Sequence, residues 1–167
     1  MTRLVLGTLL LTACSNNTAE TSTANHTESP IEEETSADDP SALADVIAVD
    51  VSGSEGSYTF AVTLSSPDTG CDRYANWWEV LDRDGNLIYR RILGHSHVDE
   101  QPFTRSGGPV DVAADQVVFV RAYMHPTGYG GIAFTGTAAD GFQAAPELPS
   151  IDPAVESADP QPDGCAF

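Results

Sequence analysis

The chain has 167 residues, with 25 acidic residues against seven arginines and no lysine, for a formal net charge of −18. An acidic chain repels phosphate, so nucleic acid is not an expected partner, and an anionic lipid surface would not attract it by charge. Hydrophobic residues make up 41% of the chain, enough for a core, and the length suits one ordinary domain.

The charge is uneven. Residues 15–45 carry eight acids and no arginine, and residues 144–167 carry five acids and no arginine. Residues 46–143 carry twelve acids and six arginines, a net charge of −6. Most of the excess negative charge therefore lies in the flanks.

The chain opens MTRLVLGTLLLTAC. Arg3 precedes an apolar run from Leu4 to Leu11, and small residues lead to Cys14. Charged, then apolar, then small is the order of a secretory signal, and the run is too short to span a bilayer, which takes about 20 residues. Leu11-Thr12-Ala13-Cys14 resembles the lipobox of bacterial lipoprotein precursors. The resemblance implies a signal peptide over residues 1–13 and a lipidated N-terminal Cys14. Ser15 resembles the pattern of lipoproteins sent to the outer membrane rather than kept at the inner one. The implied partner is thus a membrane, reached through lipid, with the domain facing the periplasm or the cell surface.

Setting Cys14 aside leaves Cys71 and Cys165. An exported chain meets an oxidising compartment, so this even pair reads as one disulfide; two metal-binding thiolates are the alternative.

Residues 14–44 are rich in Ser, Thr, Asn, Glu and Asp and poor in large apolar residues. They cannot bury enough surface to offset ordering entropy, and read as an acidic, disordered spacer. From Asp45 the pattern turns to period two. Ile47, Val49 and Val51 form one apolar set, and Tyr58, Phe60, Val62 and Leu64 another, predicting a hairpin of half-buried strands. A third strand is expected over 73–82, and Asp84-Gly85 signals a hairpin to its partner over 87–92. The stretch ILGHSHVDEQPFTRSGGP then reads as a long polar loop ending in a Gly-Gly-Pro turn, with a short strand over 110–112. Residues 116–124 form the most apolar strand, and residues 132–137 the last.

Seven or eight short strands with frequent turns predict an all-β fold, a single antiparallel β-sandwich over residues 45–143. The strand order and the tryptophan on the third strand loosely resemble immunoglobulin and fibronectin type III domains. Residues 144–167 carry a proline every few positions, which excludes helix and central strand. Leu148, Ile151 and Val155 are apolar and Cys165 would tether the end, so this segment reads as a strap lying on the domain.

Two candidate sites follow. In such a sandwich His95, His97 and His125 fall at one pole, near Asp68, Cys71 and Asp72, and imidazoles suit copper or zinc. Here the alternative is a polar loop held by ion pairs among Asp99, Glu100 and Arg105. The second candidate is a sheet face carrying Trp77, Phe119, Arg121 and Tyr123, residue types enriched at binding hot spots. It would serve an envelope protein or glycan partner, unless the strap covers it. Asp82-Arg83-Asp84-Gly85-Asn86 resembles a calcium loop only in part and is better explained as a hairpin turn. Catalysis is not expected: there is no G-x-S-x-G elbow and no pair of carboxylates with a nameable cleft.

Overall fold

A computed structural model describes residues 42–166. Cys14, the signal peptide and most of the acidic spacer lie outside these residues.

Eight strands form two antiparallel sheets. They are β1 (Asp45–Ser54), β2 (Ser57–Ser65), β3 (Tyr74–Leu81), β4 (Leu87–Ile92), β5 (Phe103–Val110), β6 (Val118–His125), β7 (Phe134–Thr137) and β8 (Gly141–Ala144). The first sheet has the order β1-β2-β5 and the second β4-β3-β6-β7-β8. Among the described residues there is no α-helix, only one 3-10 turn at Pro153–Val155, and no helix long and apolar enough to cross a membrane. The expected all-β sandwich is the fold.

The core follows the period-two pattern. Phe60, Val62 and Leu64 of β2 are fully buried and face Trp78 and Val80 of β3 and Val118, Val120 and Ala122 of β6. Phe60 meets Phe142 of the other sheet edge-on at 5.7 Å. Gly107 allows β5 to pass close to Tyr89 and Trp78 of the second sheet. A Cβ there would stand 2.7 Å from Tyr89 Oη and 3.0 Å from Trp78 Cζ2, so any larger residue would push β5 off the second sheet.

Two local expectations are corrected. On β1 the register shifts between Val46 and Ala48, and Ile47 is the extra residue. This bulge turns Ile47 outward, 43% exposed, while Val46 is fully buried and Val49 and Val51 pack on the core. Gly107-Gly108-Pro109 is not a turn but part of the second half of β5. Phe103 and Val110 anchor that strand as buried ends. Its proline is tolerated because β5 is an edge strand and the ladder to β2 is irregular there, with Tyr58 opposite Val110 but Phe60 opposite Gly107.

After β8 the chain crosses the outer face of the second sheet. Glu147, Leu148 and Pro149 lie near Phe119, and the backbone at Ser150 and Ile151 passes against Gly85 in the β3–β4 hairpin. The 3-10 turn follows, capped by Asp152 through its bond from the Ala154 N–H. The end is fixed twice: Cys165 is bonded to Cys71, and the Ala166 N–H donates to the Gly94 carbonyl at 2.7 Å.

Candidate functional site: the strapped face and the disulfide pole

Strand β3 reads YANWWEVL, and every residue in it is buried. Trp78 and Val80 point into the sandwich; Trp77 and Glu79 point to the opposite face. A carboxylate there, fully buried, needs partners. The ladder supplies them, because Glu79 stands directly opposite Arg90 on β4 and Arg121 on β6. Arg90 donates Nε and Nη2 to Oε2 at 2.8 and 2.7 Å. Arg121 donates Nε to Oε1 at 2.7 Å, with Nη2 also 2.7 Å from Oε1. Each carboxylate oxygen is thus held by one guanidinium.

Arg90 has a second task. Its terminal nitrogens donate to the carbonyls of Val155 at 2.7 Å and Ala158 at 2.6 Å, with longer bonds to Glu156 and Pro160. Those carbonyls belong to a proline-rich segment that has no ladder partner, and one buried cation satisfies them together. The Tyr123 hydroxyl adds a bond to the Glu156 carboxylate at 2.9 Å.

An aromatic layer sits on this cluster. Trp77 stacks on Tyr123 with ring centroids 4.0 Å apart, and the Arg90 guanidinium lies over the Trp77 ring at 4.5 Å. The Trp77 indole N–H donates to Tyr129 Oη at 3.0 Å, and Arg121 lies over the Tyr129 ring at 3.5 Å. Burial pushes the Tyr74, Tyr123 and Tyr129 phenols above their ordinary pKa, so all three stay protonated at neutral pH.

The sheet face bearing Trp77, Phe119, Arg121 and Tyr123 is therefore the covered one. Trp77 is 3% exposed and Arg121 8%, and Phe119 and Tyr123 are half-buried beneath strap residues. As a flat, open docking surface it is not available, because the strap lies where a partner would sit.

The histidines do share the disulfide pole, but each is placed for a different reason. His97 is buried, with its ring flat on Phe103 at 3.8 Å. His95 is exposed, its ring 4.4 Å from that of His97. His125 packs edge-on to Tyr74 on the strapped face. Asp68 is spent on its own chain. Its carboxylate accepts from the Ser66 hydroxyl at 2.7 Å, the Ala75 N–H at 3.0 Å and the His97 N–H at 2.8 Å. His97 Nδ1 stands 3.9 Å from it, too far for a hydrogen bond. Among the described residues no three His, Cys, Asp or Glu side chains converge on a point that would hold a metal. The set His95, His97 and His125 is not assembled: the His97 ring lies on Phe103, and the His125 ring packs against Tyr74 in the cleft lined by Cys71 and Cys165. Glu100 and Arg105 form the expected ion pair at 2.6 Å, and this pairing holds the Glu100 carboxyl below its usual pKa.

Where the strap meets the disulfide, the two leave a cleft of about 600 Å³. Tyr74, Asn76 and Trp77 come to it from β3, Tyr123 and His125 from β6, and Glu156 and Gln161 from the strap. Asn76 is 5% exposed, and its Oδ1 is buried without a hydrogen-bond partner. Sequence reading missed Asn76, Glu79 and Arg90. For the last two a signal exists: a lone acid in an apolar strand, with arginines on both strands expected beside it.

No family model matches the chain, and no solved structure matches it. A protein of Halomicrobium mukohataei named "Putative lipoprotein" is 35% identical over 114 residues, which cover 65% of this chain and 56% of that relative. The chain thus spans about half the length of the curated relative it matches.

Proposed function

We propose that the chain is a lipoprotein of the cell envelope. In this reading Cys14 carries the lipid, the acidic segment over residues 15–44 spaces the domain from the membrane, and the strapped β-sandwich is a non-catalytic binding module. The observation that carries the reading is Cys14 itself. It ends a charged, apolar and small-residue leader in Leu-Thr-Ala-Cys, and the other two cysteines are used by their own disulfide. That disulfide suits an oxidising compartment, and the name of the Halomicrobium relative points the same way. Cell fractionation of the full chain tests it. The wild-type chain is expected in the membrane fraction and released by detergent but not by salt, because acyl chains hold by apolar burial rather than by charge. Cys14→Ser is expected in the soluble extracytoplasmic fraction. A Cys14→Ser chain still recovered with the membrane would contradict the reading.

A further inference from the structure

No residue from Asp152 to Ala166 is buried, so this part of the strap is held down by a short set of ties and not by a core of its own. The ties divide at Pro160. Up to it, Arg90 donates to the carbonyls of Val155, Glu156, Ala158 and Pro160, and Tyr123 bonds the Glu156 carboxylate. Beyond it, among the described residues, the chain is bonded to the domain at its end alone. Cys165 is joined to Cys71, and Ala166 makes one bridge to His95, where its N–H donates to the Gly94 carbonyl at 2.7 Å. The Gln161 side-chain amide turns back on the strap itself, to the Glu156 and Ala158 carbonyls.

The two end ties are unequal. Holding residues 161–166 in one conformation costs far more chain entropy than one neutral backbone hydrogen bond returns, because that bond replaces one to water. The disulfide offsets this cost by making the segment part of a closed loop. Once the disulfide is cut, the segment is a chain end with a single weak tie, and such ends fray. Residues 153–160 differ. Their carbonyls are held by a guanidinium that Glu79 fixes in place, and that hold does not pass through the disulfide.

The disulfide is also within reach of solvent. Cys71 and Cys165 are both partly exposed, and both line the open cleft. Gln161, Pro162 and Gly164 line it too, opposite in sequence origin to Tyr74 and His125 on the strands.

We infer that the Cys71–Cys165 disulfide is a redox latch and that residues 161–166 are its flap, tied as far as Pro160 and opened by a dithiol reductant. One thiolate of the reductant attacks one sulfur of the disulfide, forming a mixed disulfide and expelling the other cysteine as a thiolate. The second thiolate of the reductant then attacks the reductant's own sulfur in that mixed disulfide, closing the reductant's disulfide and releasing the second cysteine. Two electrons and two protons pass from the dithiol to the cysteines. Opening removes the flap's share of the cleft wall and uncovers the rings of Tyr74 and His125. The latch goes beyond the binding-module reading and depends on neither that reading nor the lipid anchor.

The experiment is nitrogen-15 relaxation on the purified full chain carrying Cys14→Ser, which leaves no third thiol to exchange. Spectra are compared oxidised, after dithiothreitol without denaturant, and after reoxidation. On reduction, backbone order parameters over residues 161–166 are expected to fall from about 0.85 to below about 0.6, and to recover on reoxidation. Resonances of Tyr74 and His125 should shift, while residues 153–158 and β2 keep their order. Cys165→Ser on the same background should show the open flap without reductant. Should that variant fail to fold, the reduced and oxidised forms of the Cys14→Ser chain decide alone. The inference is overturned if the disulfide resists dithiothreitol until urea unfolds the chain, if residues 161–166 stay ordered after reduction, or if both sheets lose order together with the flap.

Discussion

Arg90 grips one oxygen of Glu79 through two N–H groups, Nε at 2.8 Å and Nη2 at 2.7 Å, and neither side chain reaches solvent. Arg121 holds the other oxygen. Removing Glu79 leaves two buried guanidiniums facing each other without a counter-charge. Breaking one partner out of a buried ion pair costs about 3–5 kcal/mol. Glu79→Ala is therefore expected to lower unfolding free energy by about that much. Urea denaturation of wild type and variant measures it, and a loss under about 1 kcal/mol would show that the triad does not work as a unit.

Arg90 also links the strap to the sheet. In Arg90→Met the carbonyls of Val155 and Ala158 lose their shared donor, while the methionine still fills much of the space. The expected result is regional. Amides over residues 153–165 should exchange with solvent hydrogen faster, while those of β2, on the other sheet, keep their relative protection. Uniform loss of protection across both sheets would instead mean that Arg90 supports the whole fold.

Cys71 and Cys165 are 94 positions apart, with Cα atoms 5.6 Å apart. Closing a loop of that length restricts the unfolded chain by about 4 to 5 kcal/mol. The double substitution Cys71→Ala with Cys165→Ala is expected to lower stability by up to about that amount. It should also loosen the strap end at Ala166. Thermal melts with and without reductant, run on the wild-type chain, provide the check.

His97 links stability to pH. Burial pushes its pKa below the ordinary histidine value, and the nearby positive charges of Arg105 and His95 lower it further, against smaller opposing effects of Asp68 and Glu100. The folded state thus takes up its proton at lower pH than the unfolded state, whose value is about 6.5. Above that pH His97 is neutral in both states and its contribution is constant. As pH falls below about 6.5 the unfolded chain binds the proton first, so stability is lost until the folded pKa is passed. Unfolding free energy should decline as pH falls below about 6.5, and His97→Phe, which keeps the stack on Phe103, should flatten that slope.

Much of this was legible in the sequence. The alternation Phe60, Val62, Leu64 against polar neighbours placed β2, and Asp84-Gly85 placed the β3–β4 hairpin, because period and turn chemistry are local properties. Ile47 departs from the alternation because a bulge shifts the register by one residue, and nothing in the sequence of β1 alone marks it. Residues 103–110 depart from the sequence expectation because glycine and proline signal a turn, whereas an edge strand with a buried residue at each end tolerates both. Strand order brings the three histidines toward one end of the sandwich, but it cannot show which way a ring turns. That depended on Phe103 and Tyr74, contacts made only when the chain has folded. Asn76 is hidden for a similar reason: an asparagine in a strand carries no sign that its amide oxygen will be buried without a partner.

The most direct test of the central claim is the intact mass and N-terminal peptide of the full-length gene product recovered from membranes. The expected chain begins at Cys14, with residues 1–13 removed and a diacylglycerol mass on that cysteine. A chain that keeps residues 1–13, or begins elsewhere with Cys14 unmodified, would contradict it.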